Sequence, residues 1–242
     1  MLKLHEISTG FVKNRKTHVL HENINIALAP GTVTLLLGAN GIGKSVLLKT
    51  LLSIFKPIKG YVEFDNQKIN ELKSDQLSGL ISLMLPNPPS IELMSSFEIV
   101  MSGQQRFNKP WQTNQKDAQE NIKRYFEKCK IEHLIEKNFA ELSDGEKQKV
   151  MLVRCLAQET PIILLDEPMA FLDYPSRIQF LQLIKEIAEK QGKYIIVSTH
   201  DIEISIPICN SIIALTKNHW HHFTDPNQFT PENIFSETTK TI

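Results

Sequence analysis

The stretch Gly38-Ala39-Asn40-Gly41-Ile42-Gly43-Lys44-Ser45 restricts what this chain can fold into more than any other. It matches the pattern G-x-x-x-x-G-K-[ST], which average amino-acid usage produces by chance in on the order of one in a hundred chains of this length. A continuously apolar run, Val33 to Leu37, precedes it, and Ser45–Ile54 follows with helical character. Glycines between a strand and a helix let backbone N–H groups turn inward around phosphate oxygens, and the helix N-terminus adds favourable partial charge. Lys44 is then expected to reach the β- and γ-phosphates, and the Ser45 hydroxyl to hold Mg²⁺. The bland alternative is a glycine-rich turn without a ligand, and the flanking strand and helix weigh against it.

Short apolar runs alternate with helical stretches over most of the chain, the pattern of an α/β fold with a mainly parallel sheet. Strands are expected at Leu2–Ile7, Val19–Leu28, Val33–Leu37, Tyr61–Phe64, Ile81–Leu85, Ile162–Leu165, Tyr194–Ser198 and Ile212–Leu215. The first two and Tyr61–Phe64 alternate polar and apolar residues, as half-exposed antiparallel strands do. VTLLL, IILLD and YIIVS are continuously apolar, as expected of strands covered by helices on both faces. From the proline-rich LPNPPS onward the strand runs stop, and helices are expected at Asn114–Lys130 and Glu146–Ala157. The division expected is therefore a core of residues 1–86 and 161–218 with an antiparallel β subdomain. A helical subdomain, 87–160, is inserted in it, and a polar tail, 219–242, carries one short helix near Pro231–Phe235.

A second site stands apart from the first. The run Ile162 to Leu165 ends in Asp166-Glu167, which puts two carboxylates where open α/β sheets bind ligands. Asp166 is expected to bind Mg²⁺ through water, and Glu167 to polarise an attacking water as general base. Taken alone, Asp-Glu-Pro reads equally well as a solvated turn; the phosphate loop tips the balance. With 27 basic and 27 acidic residues the chain lacks the basic excess of a nucleic-acid binder. Cys129, Cys155 and Cys209 are widely spaced and form no CxxC pair, so reduced thiols are expected instead of disulfides or zinc. MLKLHEI alternates where a signal peptide would be continuously apolar, and no apolar run approaches the roughly 20 residues of a bilayer span.

These residues, with further motifs, resemble the ATP-binding subunit of ABC transporters over nearly the whole chain. Leu142-Ser143-Asp144-Gly145-Glu146 is similar to the family's signature sequence at the head of a helix. Ser followed three residues later by Glu is also a capping-box pattern, and both readings can hold. Phe171-Leu172-Asp173 resembles the family's D-loop, and His200, after YIIVS, resembles its switch histidine. Phe11 takes the place of the aromatic that stacks on adenine, a contact worth about 1–3 kcal/mol by analogy with nucleic-acid platforms; a loop phenylalanine folded onto the core is the other reading. Asn87, in Leu85-Pro86-Asn87, stands where the family places a glutamine. It keeps the amide with one methylene less, so a bridging water to the metal is plausible. Asp144 departs from the commoner glycine, and its charge must point away from phosphate.

The resemblance implies a single P-loop ATPase domain over 1–242, with ATP and Mg²⁺ as cofactors. Gly38 to Val46, Phe11, Ser143, Gly145 and Asp173 are its nucleotide-binding positions. Glu167, His200 and Lys44 are catalytic, and Ser45, Asp166 and Asn87 are the metal positions. It further implies a head-to-tail homodimer in the ATP-bound state, with the signature sequence meeting the γ-phosphate held by the opposite subunit. Integral membrane permease subunits, and a periplasmic or surface substrate-binding protein acting through them, are the partners. Such a subunit is cytoplasmic and peripheral on the inner face of the membrane. The single cassette, LSDGE and LMLPN look like importers of iron complexes (siderophores or haem) or cobalamin. An exporter, a soluble ABC-type ATPase and a non-catalytic nucleotide switch are the rivals.

Overall fold

Apolar periodicity places most of the secondary structure. The molecule, described here by a computed structural model, is defined for residues 1–13, 15–104, 115–217 and 219–235. The expected helix start at Asn114 and residues 236–242 of the expected tail lie outside the described residues. The chain forms two compact units, Met1–Lys73 with Ile184–Ile242, and Ser74–Leu183. The first stretch contains β1 (Leu2–Lys13), β2 (Lys16–Leu28), β3 (Thr32–Gly38), α1 (Lys44–Leu51), β4 (Lys59–Phe64) and β5 (Gln67–Lys68). Next come α2 (Ser74–Leu80), β6 (Ile81–Met84), α3 (Ser96–Gln104), α4 (Gln115–Lys128), α5 (Asp144–Leu156), β7 (Ile162–Asp166) and α6 (Tyr174–Gln191). The chain closes with β8 (Tyr194–Ser198), α7 (Ile202–Ser205), β9 (Ser211–Leu215), β10 (Trp220–Phe223) and α8 (Pro231–Phe235).

In the first unit β2, β1, β4 and β5 form an antiparallel sheet in that order. Leu2 pairs with Leu28 and Lys13 with Lys16, so both strands extend well past the expected Ile7 and Val19. Their alternation buries Leu2, Leu4, Ile24, Ile26 and Leu28. Irregularities interrupt the register between Ile7↔Ile24, Thr9↔His21 and Gly10↔Val19. Asn23 sits there with φ 54. The extra residue of this bulge inverts the phase of the strand, so His21, three residues from Ile24, also points inward and is 3% exposed.

The same unit also holds three parallel strands, β3, β8 and β9. β3 lies between β8 and β9, with Leu35 opposite Val197 on one side and Ile212 on the other. Its continuous apolar run is buried throughout. Thr34, the polar exception, is satisfied by the Ser211 hydroxyl at 2.9 Å. β10 adds antiparallel to β9 from inside the stretch expected to be a polar tail. WHHF lacks an apolar run because it pairs on one side with β9 alone, and Trp220 Nε1 donates instead to the Glu22 carbonyl at 3.0 Å. α1 ends at Leu51, short of the expected Ile54, where Ser53 turns left-handed at φ 57 and the Ile54 N–H closes on the Lys49 carbonyl at 2.9 Å.

In the second unit β6 and β7 pair in parallel from Ile81↔Ile162 to Met84↔Leu165. β6 stops before Leu85, which Pro86 holds out of a ladder and which is exposed. Ile99, Val100, Ile122, Tyr125, Phe126, Val150 and Val153 of α3, α4 and α5 are fully buried. α5 begins two residues before the expected Glu146 because Ser143 caps it. The cysteines are unbridged. Cys155 donates to Ser82 Oγ at 3.1 Å, and burial pushes the Cys129 thiol up to about 12 and the Cys209 thiol to about 11. No helix among the described residues is long and apolar enough to cross a membrane.

Candidate functional site

β3 delivers the glycine-rich loop to the C-terminal end of the parallel strands, and α1 begins at Lys44 as the loop ends. Gly43 caps α1 at φ 116, ψ 12, a conformation L side chains rarely adopt. A Cβ there would meet Leu20 Cδ1 at 3.0 Å and His21 Cε1 at 3.3 Å. Ala39, Asn40 and Gly41 are exposed at the tip, Ile42 is partly covered, and Ser45 and Val46 are half-buried on the first turn of α1. Lys44 is 7% exposed. Its ammonium donates to the Gly38 carbonyl at 2.8 Å, makes a longer contact with that of Ala39 at 3.5 Å, and lies 3.2 Å from His200 Nε2. A lysine ammonium can only donate, so this contact requires a lone pair on Nε2 and the ring proton on Nδ1. The parallel pairing of Leu36 with Ser198 puts the end of β8 beside the end of β3 and brings His200 to Lys44. His200 itself is exposed.

Phe11 belongs to β1 and not to a loop, and it does not fold onto the core: it is 44% exposed and stacks on its cross-strand partner His18 at 5.2 Å. His21 Nε2 donates to the Thr216 carbonyl at 3.2 Å, and burial holds its pKa below the ordinary imidazole value against that bond.

In the second unit Asp166 ends β7 and is 2% exposed. Glu167 follows at φ 48, a left-handed conformation rare for a residue with a side chain. Ser143 and Glu146 form a complete capping box. The Ser143 hydroxyl accepts from the Glu146 N–H at 3.3 Å and donates to Glu146 Oε2 at 2.8 Å, and the Ser143 N–H meets the same oxygen at 2.9 Å. The Ser143 hydroxyl, then its N–H, hold the Glu146 carboxyl below the usual carboxylate range. Asp144 is exposed. Gly145 is glycine for space: a Cβ would stand 2.9 Å from the Phe171 carbonyl, so the signature helix touches the Phe171-Leu172-Asp173 segment through bare backbone. Asp173 accepts from the Ser176 N–H at 3.0 Å at the start of α6. The hydrogen bonds to Ser176 lower its pKa. Asn87 is exposed in the bend after β6.

Two residues not singled out from the sequence meet these segments. His21 is hidden from periodicity by the bulge. Gln148 was in principle visible, because it falls in helical phase with Leu152, Cys155 and Leu156 and is 1% exposed. Its Nε2 donates to the Pro168 carbonyl at 3.1 Å.

Residues 21–170 match the ABC transporter family. The chain belongs to that family. It is 35% identical over 219 residues to an uncharacterized ABC transporter ATP-binding protein of Methanocaldococcus jannaschii, covering 90% of this chain and 74% of that one. It is 28% identical over 199 residues to the iron(3+)-hydroxamate import ATP-binding protein of Bacillus subtilis, covering 82% of this chain and 74% of the relative. Among solved structures, a dimeric ATP-binding cassette in a post-hydrolysis state with ADP and Pi superimposes with a TM-score of 0.82 at 26% identity, covering 92% of this chain and 97% of that chain. This ABC protein is thus an ATP-binding subunit with the P-loop ATPase fold, and its activity is ATP hydrolysis.

Proposed function

We propose that this ABC subunit powers import of an iron complex, such as a siderophore or haem, or of cobalamin. In this reading it is a head-to-tail homodimer, closed by ATP, on the cytoplasmic face of integral membrane permease subunits. The observation that carries the ATP-binding half is the Lys44 ammonium, buried at the loop mouth within 3.2 Å of His200. Likeness to a relative named for iron(3+)-hydroxamate import supports the transported class.

The roles follow from the chemistry of each group. Inward-turned N–H groups of residues 38–46 bind the phosphates, and Lys44 exchanges its loop carbonyls for the β- and γ-phosphates. His200 contacts the γ-phosphate, and Phe11, 44% exposed, stacks on the base. The Ser45 hydroxyl and Asp166 carboxylate are hard oxygen donors, a set that suits Mg²⁺, and Asn87 adds an amide through water. The ion when bound neutralises charge on the phosphate oxygens. Glu167 takes the proton of the attacking water. Ser143 and Gly145 serve the nucleotide of the opposite subunit, and Asp173 communicates across the dimer. The helical segment 87–160, with the Asn87 bend, meets the permease, and a periplasmic or surface binding protein delivers the substrate.

A phosphate-release assay tests the catalytic half. Replacing Glu167 with Gln is expected to leave ATP binding intact and slow hydrolysis by at least about a hundredfold, and an unchanged rate overturns the assigned role. Asn87→Gln is expected to retain or raise hydrolysis; complete loss of turnover refutes the place given to that segment. Uptake of labelled iron-hydroxamate and of cobalamin by cells with and without the gene tests the transported class.

A further inference from the structure

The second unit contains a link that the roles above do not use. Gln148 sits on the inward face of α5 among Leu152, Cys155 and Leu156, 1% exposed, where an apolar side chain would ordinarily stand. Its Nε2 donates to the Pro168 carbonyl at 3.1 Å, while its buried Oε1 has no hydrogen-bond partner among the described residues. An amide half-satisfied in a core is held against its own desolvation, which a well-packed apolar residue would avoid. The bond it does make falls one residue after Glu167. That residue turns left-handed at φ 48, a strained conformation that persists only where the surroundings over-determine it. Within the turn the Ala170 N–H reaches the Glu167 carbonyl at a long 3.3 Å. Gln148 supplies a shorter clamp from outside the turn, and Gly145, three residues earlier on the same helix, presses its backbone against the Phe171 carbonyl.

We propose that Gln148 is a positioning residue for hydrolysis: by gripping the Pro168 carbonyl it fixes the left-handed turn that aims the Glu167 carboxylate. It also makes the signature helix and the catalytic turn of one subunit move as a single body. This rests on Glu167 being the general base. The expected signature is loss of kcat with nucleotide binding retained, because the base is misaimed while the phosphate loop is untouched.

The test compares the purified full chain with Gln148→Met, Glu167→Gln and the double variant, reading kcat and KM for ATP by phosphate release and ATP binding by a fluorescent nucleotide. Gln148→Met is expected to lower kcat about ten- to a hundredfold with KM changed less than about twofold, and to add nothing in the Glu167→Gln background. Full kcat in Gln148→Met with Glu167→Gln inactive overturns the positioning role alone. Normal hydrolysis by Glu167→Gln overturns the general-base reading whatever Gln148→Met does. If Gln148→Met does not fold, Gln148→Asn, which keeps the amide but not its reach, is expected to show the same kcat loss. Failure of both to fold, or a fall in nucleotide binding equal to that in kcat, makes Gln148 a purely structural residue and refutes the proposal.

Discussion

Single residues carry the sharpest constraints on the phosphate loop. Gly43 combines φ 116 with a neighbour 3.0 Å from where a side chain would begin. Gly43→Ala therefore strains the cap of α1 by about 1–3 kcal/mol, and nucleotide binding measured by titration should weaken about tenfold or more. Behind it, His21 makes the stability of the folded chain depend on pH. Burial lowers its pKa in the folded chain, so the unfolded state takes up the proton more readily and each protonation favours unfolding. The stability it contributes is complete above about pH 6.5 and is lost as pH falls through its lower folded value. Urea midpoints measured across that window should decline, and His21→Gln, which keeps a donor for the Thr216 carbonyl, should flatten the decline. His222, also lowered by burial, contributes to the slope that remains.

At the level of elements, two helices start identically and only one of them bears a proposed ligand role. Ser95 and Glu98 repeat at α3 the reciprocal bonds of Ser143 and Glu146 at α5. Ser95→Ala and Ser143→Ala should each cost about 1 kcal/mol of unfolding stability, seen as a lower denaturation midpoint. Only Ser143→Ala should also lower ATP hydrolysis; equal activity in both would reduce Ser143 to a cap. The strands were legible in the sequence where burial on two faces demands an unbroken apolar run, as in β3, β7 and β8. β10 was not, because a strand that pairs on one side only, with β9, needs no unbroken apolar run. His21 was illegible because the bulge at Asn23 shifts its face relative to Ile24 before the next irregularity, at Gly10↔Val19, shifts the register again. The site divides the same way: the loop and Asp166-Glu167 are written in local spacing, whereas Gln148 acquires meaning only from the fold that lays α5 over Pro168.

For the whole molecule, hydrolysis and assembly become one experiment. With ATP and Mg²⁺, Glu167→Gln should sediment as a dimer, while the unaltered chain should return to monomer as nucleotide is consumed. A Glu167→Gln chain that binds ATP yet stays monomeric would refute the reciprocal arrangement. The thiols make that motion easy to watch. With Cys129 and Cys209 held as protonated thiols far above neutral pH and Cys155 sealed in the interior, maleimide dyes should ignore the native cysteines. A reporter pair can therefore be installed at chosen surface sites in the otherwise unaltered chain, and the expected pairing of two chains on ATP followed by energy transfer in real time.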